Sequence, residues 1–211
     1  MFASLFRVSA LGVALTLLAA TGTQADDKKD EKPIELKIGD IAPTFQLLND
    51  RAKTWSTSDH FGKRWVVIYF YPGDFTPGCT AQAKGFNAAM KKLAENGVEV
   101  VGVSGDSVQT HELFKKAYKL DFTLLADPEG AVAKQFGVPF RKGATVKARD
   151  AAGKPLEFEG KPYEFERKGT AARWTFVIGK DGTITYMNTK VIPADDAKKI
   201  AEFIEKANEK K

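Results

Sequence analysis

Cys79 is the single cysteine in 211 residues, and its setting is that of a nucleophile. It follows Pro72-Gly-Asp-Phe-Thr-Pro-Gly78 and opens a helical pattern directly after an apolar, strand-like run. The first backbone N–H groups of a helix have no intrahelical acceptor and the helix dipole is positive there, so a thiolate is stabilised at such a position. A thiol needs that help, because an unperturbed pKa of ~8.5 leaves few thiolates at neutral pH. The competing reading is a small buried hydrophobe, the usual role of an isolated cysteine. A single cysteine excludes an intramolecular disulfide and any Cys-x-x-Cys redox pair. Two histidines, His60 and His111, are too few for most His-rich metal sites, and neither a metal nor a cofactor is expected. His111 and Asp106 are expected to satisfy local hydrogen bonds. Of the aromatic cluster Trp65, Tyr69, Phe70 and Tyr71, only Tyr71 is placed to line a pocket, and the rest read as core.

The elements that must hold Cys79 alternate in type. Trp65-Val-Val-Ile-Tyr-Phe-Tyr71 reads as a central strand buried on both faces, ended by Pro72-Gly73. Cys79 to Asn96 reads as a helix with Phe86, Ala89, Met90 and Leu93 on one face and Gly97 as its stop. Strand Val98–Ser104, helix Ser107–Leu120 and strand Phe122–Leu125 follow, then a helix opened by Asp127-Pro-Glu-Gly130 and running through Phe136. Thr175–Ile178 and Thr183–Met187 flank Gly179-Lys-Asp-Gly182 as a hairpin, and Pro193 opens a last helix with Ala197, Ile200, Ala201, Ile204 and Ala207 on one face. Before all of these, Ile34–Phe45 and Gln46–Leu48 read as short extended pieces broken at Pro43. Alternating strands and helices closed by a hairpin and a helix imply an α/β class with a central mixed sheet covered on both faces, an order that matches a thioredoxin-like fold. The stretch 139–172 is polar, Gly-rich and long for a loop. It reads as a surface insertion, with Val146–Phe158 forming a hairpin around Asp150-Ala-Ala-Gly153.

The first 25 residues differ in kind. A short segment carrying Arg7, an apolar run Val8–Ala20, and small residues Thr23 and Ala25 make the three-part plan of a secretory signal peptide cleaved after Ala25. The apolar run is shorter than the ~20 residues of a spanning helix, so an uncleaved anchor is the lesser alternative. The expected mature protein, from Asp26, is soluble and periplasmic or secreted, with no membrane contact, and residues 26–33 form a charged, flexible arm. Loss of Arg7 takes the formal charge from +5 to +4. That charge is dispersed, so nucleic-acid binding has no support. A composition 43% hydrophobic and 28% charged suits one globular domain over 26–211.

Pro72-x-x-x-Thr76-x-x-Cys79 is also the signature of peroxiredoxins, and the chain resembles the bacterioferritin-comigratory, or Q-type, branch of that family. The resemblance extends over Gly39-Asp-Ile-Ala-Pro43-Thr-Phe45, Tyr69-Phe-Tyr-Pro72, Gly102-Val-Ser-Gly-Asp106-Ser107, Leu124-Leu-Ala-Asp127-Pro-Glu-Gly130 and Arg173-Trp-Thr-Phe176. It implies a thiol peroxidase acting on hydrogen peroxide or organic hydroperoxides. Cys79 would attack one peroxide oxygen to give a sulfenic acid, Thr76 would orient the peroxide, Pro72 would shield the sulfur, and Arg173 would stabilise charge on the departing oxygen. Each assignment has a plainer alternative: Thr76 as a helix cap, Pro72 as a strand terminator, Arg173 as a surface residue. Many relatives carry a resolving cysteine five residues after the peroxidatic one, where this chain has Lys84. The implied cycle is therefore one-cysteine, with an external reductant that is either a thioredoxin-like protein or a small thiol, and the chain is expected to be a monomer or weak dimer. A non-turnover redox sensor or chaperone, and a non-catalytic binding module, are the competing functions.

Overall fold

The computed structural model describes residues 34–158 and 160–209, within one compact unit. The expected leader (1–25) and arm (26–33) lie outside the described residues. β1 (Gln46–Asn49) and β2 (Thr54–Ser56) form a hairpin followed by the one-turn helix α1 (Thr57–His60). β3 (Trp65–Phe70) is buried at every position. α2 (Pro77–Glu95), β4 (Val98–Ser104), α3 (Val108–Tyr118), β5 (Thr123–Ala126) and α4 (Ala131–Gln135) follow. Six short strands come next: β6 (Phe140–Lys142), β7 (Thr145–Lys147), β8 (Glu157–Phe158), β9 (Lys161–Pro162), β10 (Glu164–Glu166) and β11 (Gly169–Ala171). β12 (Trp174–Ile178), β13 (Ile184–Asn188) and α5 (Asp196–Glu209) complete the chain.

A seven-stranded sheet runs β13-β12-β3-β4-β5-β1-β2. β3, β4 and β5 are parallel, joined by crossovers through α2 and α3, and the remaining pairs are antiparallel. This is the mixed α/β sheet the alternating pattern implied. Because side chains alternate across a strand, β3 supplies both cores. Trp65, Val67 and Tyr69 pack with Phe86 and Leu93 of α2, Phe114 of α3, and Ile200 and Ile204 of α5. Val66, Ile68 and Phe70 face Phe45, Val132 and Phe136 on the other side. Gly102 in β4 belongs to this arrangement: a Cβ there would lie 2.7 Å from the Tyr69 ring and hydroxyl.

Several boundaries differ from expectation for local reasons. α2 begins at Pro77, not Cys79, because proline at the first helical position pre-sets φ and has no N–H to orphan. α5 begins at Asp196, not Pro193, after a turn in which Asp195 N–H bonds Ile192 O. Ile34–Phe45 is not a strand. Its pairing is an isolated bridge, Ile41 with Thr183, beside bonds from Gly39 N–H to Ile184 O and Ile184 N–H to Asp40 O. The hairpin expected over Val146–Phe158 is shorter than that range: around the Asp150–Gly153 turn, Asp150 N–H bonds Lys154 O, Leu156 N–H bonds Ala148 O, and Arg149 bridges Pro155, whereas Val146 pairs with Phe165 of β10. The apolar partners decide this, because Tyr163 and Phe165 lie 5.6 and 6.1 Å from the Phe75 ring, and that contact draws β10 inward. The stretch 139–172 thus folds as three two-stranded ribbons, β6 with β11, β7 with β10, and β8 with β9. Its outer edge is exposed, but Ala148, Arg167 and Ala171 are buried.

Candidate active site

β3 ends directly beneath the segment that carries the chemistry. Pro72, half-buried, follows β3, and Gly73 to Thr76 form a tight connection into α2. Gly73 has φ +151, and the Arg167 guanidinium carbon sits 2.1 Å from where its Cβ would be, so a side chain there would have to displace that buried guanidinium. Phe75 adopts φ +56, a left-handed conformation unusual for an aromatic residue. Its ring is held among Phe114, Tyr118, Tyr163 and Phe165. Thr76 is the N-cap of α2, but its side chain does not cap the helix. Its Oγ1 donates to Gly73 O at 3.0 Å, which leaves the hydroxyl oxygen able to accept. With Pro77 at N1 and no side-chain cap, the N–H groups of Gly78 and Cys79 are the unclaimed donors of the first turn.

Cys79 is the third residue of α2 and is 1% exposed. Arg173 reaches it from the other side of the sheet junction. β12 runs antiparallel to β3 with Trp174 opposite Phe70, so the residue before β12 is delivered beside the residues just past β3. Arg173 Nη2 donates to Cys79 Sγ at 3.1 Å. Its other terminal nitrogen, Nη1, donates to Gln82 Oε1. Gln82 Nε2 in turn donates to Asp196 Oδ2 at 2.7 Å, and Thr175 Oγ1 donates to the same oxygen at 2.7 Å. Burial raises the Asp196 carboxyl above its ordinary value, while bonds from Thr175 and Gln82 and the charge of Arg173 oppose that rise. The guanidinium is therefore fixed at two points, one on the sulfur and one on a buried chain from α2 to α5.

A second buried network lies under the loop. Asp74 accepts from Tyr71 Oη at 2.7 Å and pairs with His111 Nδ1 at 2.7 Å, while His111 Nε2 lies 3.2 Å from Leu125 O. With an acceptor at each ring nitrogen, both must carry hydrogen, which is the imidazolium form. Burial alone would lower His111, but Asp74, Asp106 and the Leu125 carbonyl outweigh it and hold the ring above its ordinary value. Asp106 Oδ2 accepts from Asp74 N–H at 2.7 Å and from Ser104 Oγ at 2.8 Å, and Asp106 Oδ1 pairs with Arg167 Nε at 2.7 Å. Burial raises Asp106, with repulsion from Asp74 adding and the Arg167 charge opposing. Asp106 makes the expected local bonds, with Ser104, and Asp106 and His111 also bond across 61 and 37 residues of sequence.

The structure brings Cys79 and Arg173 into contact and places Thr76 and Pro72 on the segment leading to the sulfur. Sequence reasoning missed Gln82, Asp196, Asp74 and Arg167. Gln82 had a signal, since three residues after Cys79 is one helical turn on the same face. Lys84 is exposed on α2, away from the buried face that Cys79, Gln82, Ala83 and Phe86 share. Among the described residues no cluster of three or more His, Cys, Asp or Glu side chains is arranged to hold a metal ion.

Residues 38–187 match the AhpC/TSA family. A Coxiella burnetii protein with the provisional name peroxiredoxin bcp is 39% identical over 158 residues, covering 75% of this chain and 91% of that protein. The chloroplastic peroxiredoxin Q of Sedum lineare is 46% identical over 112 residues, 53% of this chain and 60% of that protein. Among solved structures, peroxidoxin BcpB of Mycobacterium tuberculosis superposes with a TM-score of 0.64 at 28% identity, covering 81% of this chain and 97% of that one. The bacterioferritin comigratory protein of Xanthomonas campestris, studied for alkyl peroxide reduction, gives 0.61 at 27% identity, covering 77% and 91%.

Proposed function

The chain belongs to the AhpC/TSA family, with relatives named peroxiredoxin Q and bcp, and from that premise we infer that Cys79 is the reacting sulfur of a thiol-dependent peroxidase. The observation that carries this reading is the Arg173 Nη2 contact to Cys79 Sγ, 3.1 Å at the first turn of a helix. The thiolate attacks the nearer peroxide oxygen in line. An S–O bond forms, the O–O bond breaks, and the departing hydroxide or alkoxide takes a proton to leave as water or alcohol, with a sulfenic acid on Cys79. Arg173 places a permanent charge where negative charge moves from sulfur to the leaving oxygen. Thr76 Oγ1, already donating to Gly73 O, has lone pairs to accept from the O–H of the peroxide and orient it. Pro72 shields the sulfur from bulk water.

Since Cys79 is the single cysteine, a thiol from outside the chain completes the cycle. The signal-like plan of residues 1–25 supports export, with the mature protein working outside the cytosol. Intact-mass spectrometry after one equivalent of hydrogen peroxide tests the reading. The wild type gains one oxygen on Cys79 and consumes peroxide when a thiol is supplied, and Cys79→Ser does neither. Equal peroxide consumption by the two proteins would show that the sulfur is not the reacting atom.

A further inference from the structure

We propose that Arg167, delivered by the 139–172 stretch, is a positioning residue for peroxide reduction, acting with Asp106 to fix the peptide that aims the Thr76 hydroxyl. The inference rests on the peroxidase reading above and gives that stretch a part in the same site.

The chain of contacts starts at Thr76. Its Oγ1 donates to Gly73 O at 3.0 Å, and that carbonyl belongs to the same peptide unit as the N–H of Asp74. The unit is planar and trans, so its C=O and N–H point in opposite directions and turn together. Asp106 Oδ2 accepts from the Asp74 N–H at 2.7 Å, and in doing so sets the direction of Gly73 O. Arg167 holds this arrangement from two sides. Its Nε donates to Asp106 Oδ1 at 2.7 Å, and its Nη2 donates at 2.7 Å to Asp74 O, on the next peptide unit. Both peptide units that flank the Asp74 Cα are thereby tied to one ion pair. The guanidinium also packs on Gly73, where its Cζ, Nε and Nη2 lie 2.1, 2.2 and 2.4 Å from the position a Cβ would take.

Arg167 is itself placed by its ribbon. Its N–H bonds Ala144 O at 3.1 Å, and the Gly143 N–H bonds Lys168 O at 2.9 Å. The guanidinium carbon stands 5.4 Å from the centroid of the Phe165 ring. Arg167 is 5% exposed and Asp106 is fully buried. An ion pair so buried adds little net stability, since desolvating both charges offsets their attraction. Burial and the Asp74 carboxylate push Asp106 toward its neutral form, and the Arg167 charge opposes them. A neutral Asp106 would be a weaker acceptor for the Asp74 N–H. What the pair supplies is orientation. With the Asp74 N–H held, Gly73 O keeps the Thr76 proton, and the hydroxyl oxygen is left to accept from the peroxide O–H. Were the peptide to rotate, that proton would be released, and Thr76 could donate to the peroxide and misorient it at the sulfur.

The test is a double-mutant cycle on the rate of Cys79 oxidation by hydrogen peroxide, measured by stopped flow in the full chain. Four proteins are compared: wild type, Arg167→Lys, Thr76→Val, and the two substitutions combined. Lysine keeps a charge beside Asp106, but a single ammonium does not reproduce the planar fork that bonds Asp106 Oδ1 and Asp74 O together. Arg167→Lys should slow oxidation about three- to tenfold while Thr76 is present, and should add no further loss to Thr76→Val, because the two act through one hydroxyl. A general loosening of the loop would instead slow both backgrounds by the same factor. An equal factor in both, or a wild-type rate for Arg167→Lys, would overturn the proposal and leave the peroxidase reading standing. Should Arg167→Lys not fold, Arg167→Gln, which keeps one donor, carries the same comparison. Failure of wild-type Cys79 to gain oxygen from hydrogen peroxide would sink the peroxidase reading, and this one with it.

Discussion

At 3.1 Å from the sulfur, the Arg173 guanidinium donates a charge-assisted bond that also follows the negative charge as it leaves. Removing one such donor from a preorganised site costs on the order of 10²-fold in rate. Arg173→Ala should therefore slow Cys79 oxidation by about that factor in stopped-flow mixing with peroxide, and an unchanged rate would show the contact to be structural only. Arg173→Lys should recover part of the loss, because a lysine brings the charge but cannot bond both Sγ and Gln82 Oε1 in one plane. Thr76 is separable from it: Thr76→Ser keeps the hydroxyl and should keep the rate, whereas Thr76→Val should lower it roughly tenfold, within the range for a lost hydrogen bond to the reacting group. Equal rates for those two variants would remove Thr76 from the chemistry. Cys79 was legible from its place after a strand and before a helix, and Arg173 from the Arg-x-Thr-Phe match. Asp196 was not. It stands 114 residues from Gln82 in a polar stretch, and only the packing of α5 on α2 buries it.

At the scale of elements, the parallel core was readable because its strands are buried on both faces and carry continuous β-branched and aromatic runs. The ribbons of 139–172 were not, because they are two or three residues long and mostly exposed, so neither period nor composition marks them. What fixes them is contact with the loop below. Gly105, just past β4, illustrates it, since a Cβ there would lie 2.0 Å from Gly169 O of β11. Backbone cannot yield as a side chain does, so Gly105→Ala should push β11 off the end of β4 and destabilise the fold by roughly 2–3 kcal/mol, as overpacking of a tight contact does. The midpoint of urea unfolding should fall accordingly, and an unshifted midpoint would mean that the insertion is held elsewhere.

For the molecule as a whole, the buried ionic groups give stability a direction with pH. His111 is held above its ordinary value of 6.5, so its contribution is complete below that value and is lost as pH rises through the raised one. Asp106, Asp127 and Asp196 are each raised above 3.8, first by burial. The folded state therefore holds these protons more tightly than the unfolded chain, and stability again declines as pH climbs from 3.8 through their raised values. The melting temperature should fall as pH increases past 6.5, and His111→Gln should flatten that fall while lowering stability on the acid side. A melting temperature that rises across the same interval in the wild type would contradict the His111–Asp74 pairing. The layered α/β architecture was legible in the order of strands and helices, whereas the polar network that ties the loop to the insertion joins residues far apart in sequence and leaves no local signature.

The most direct test of the account is the second-order rate at which hydrogen peroxide converts reduced Cys79 to its sulfenic acid, measured beside free cysteine at the same pH. With Arg173, Thr76 and the first turn of α2 in place, oxidation of Cys79 should be faster by orders of magnitude. A rate no greater than that of free cysteine would contradict the central claim that this fold is built to reduce peroxides at one sulfur.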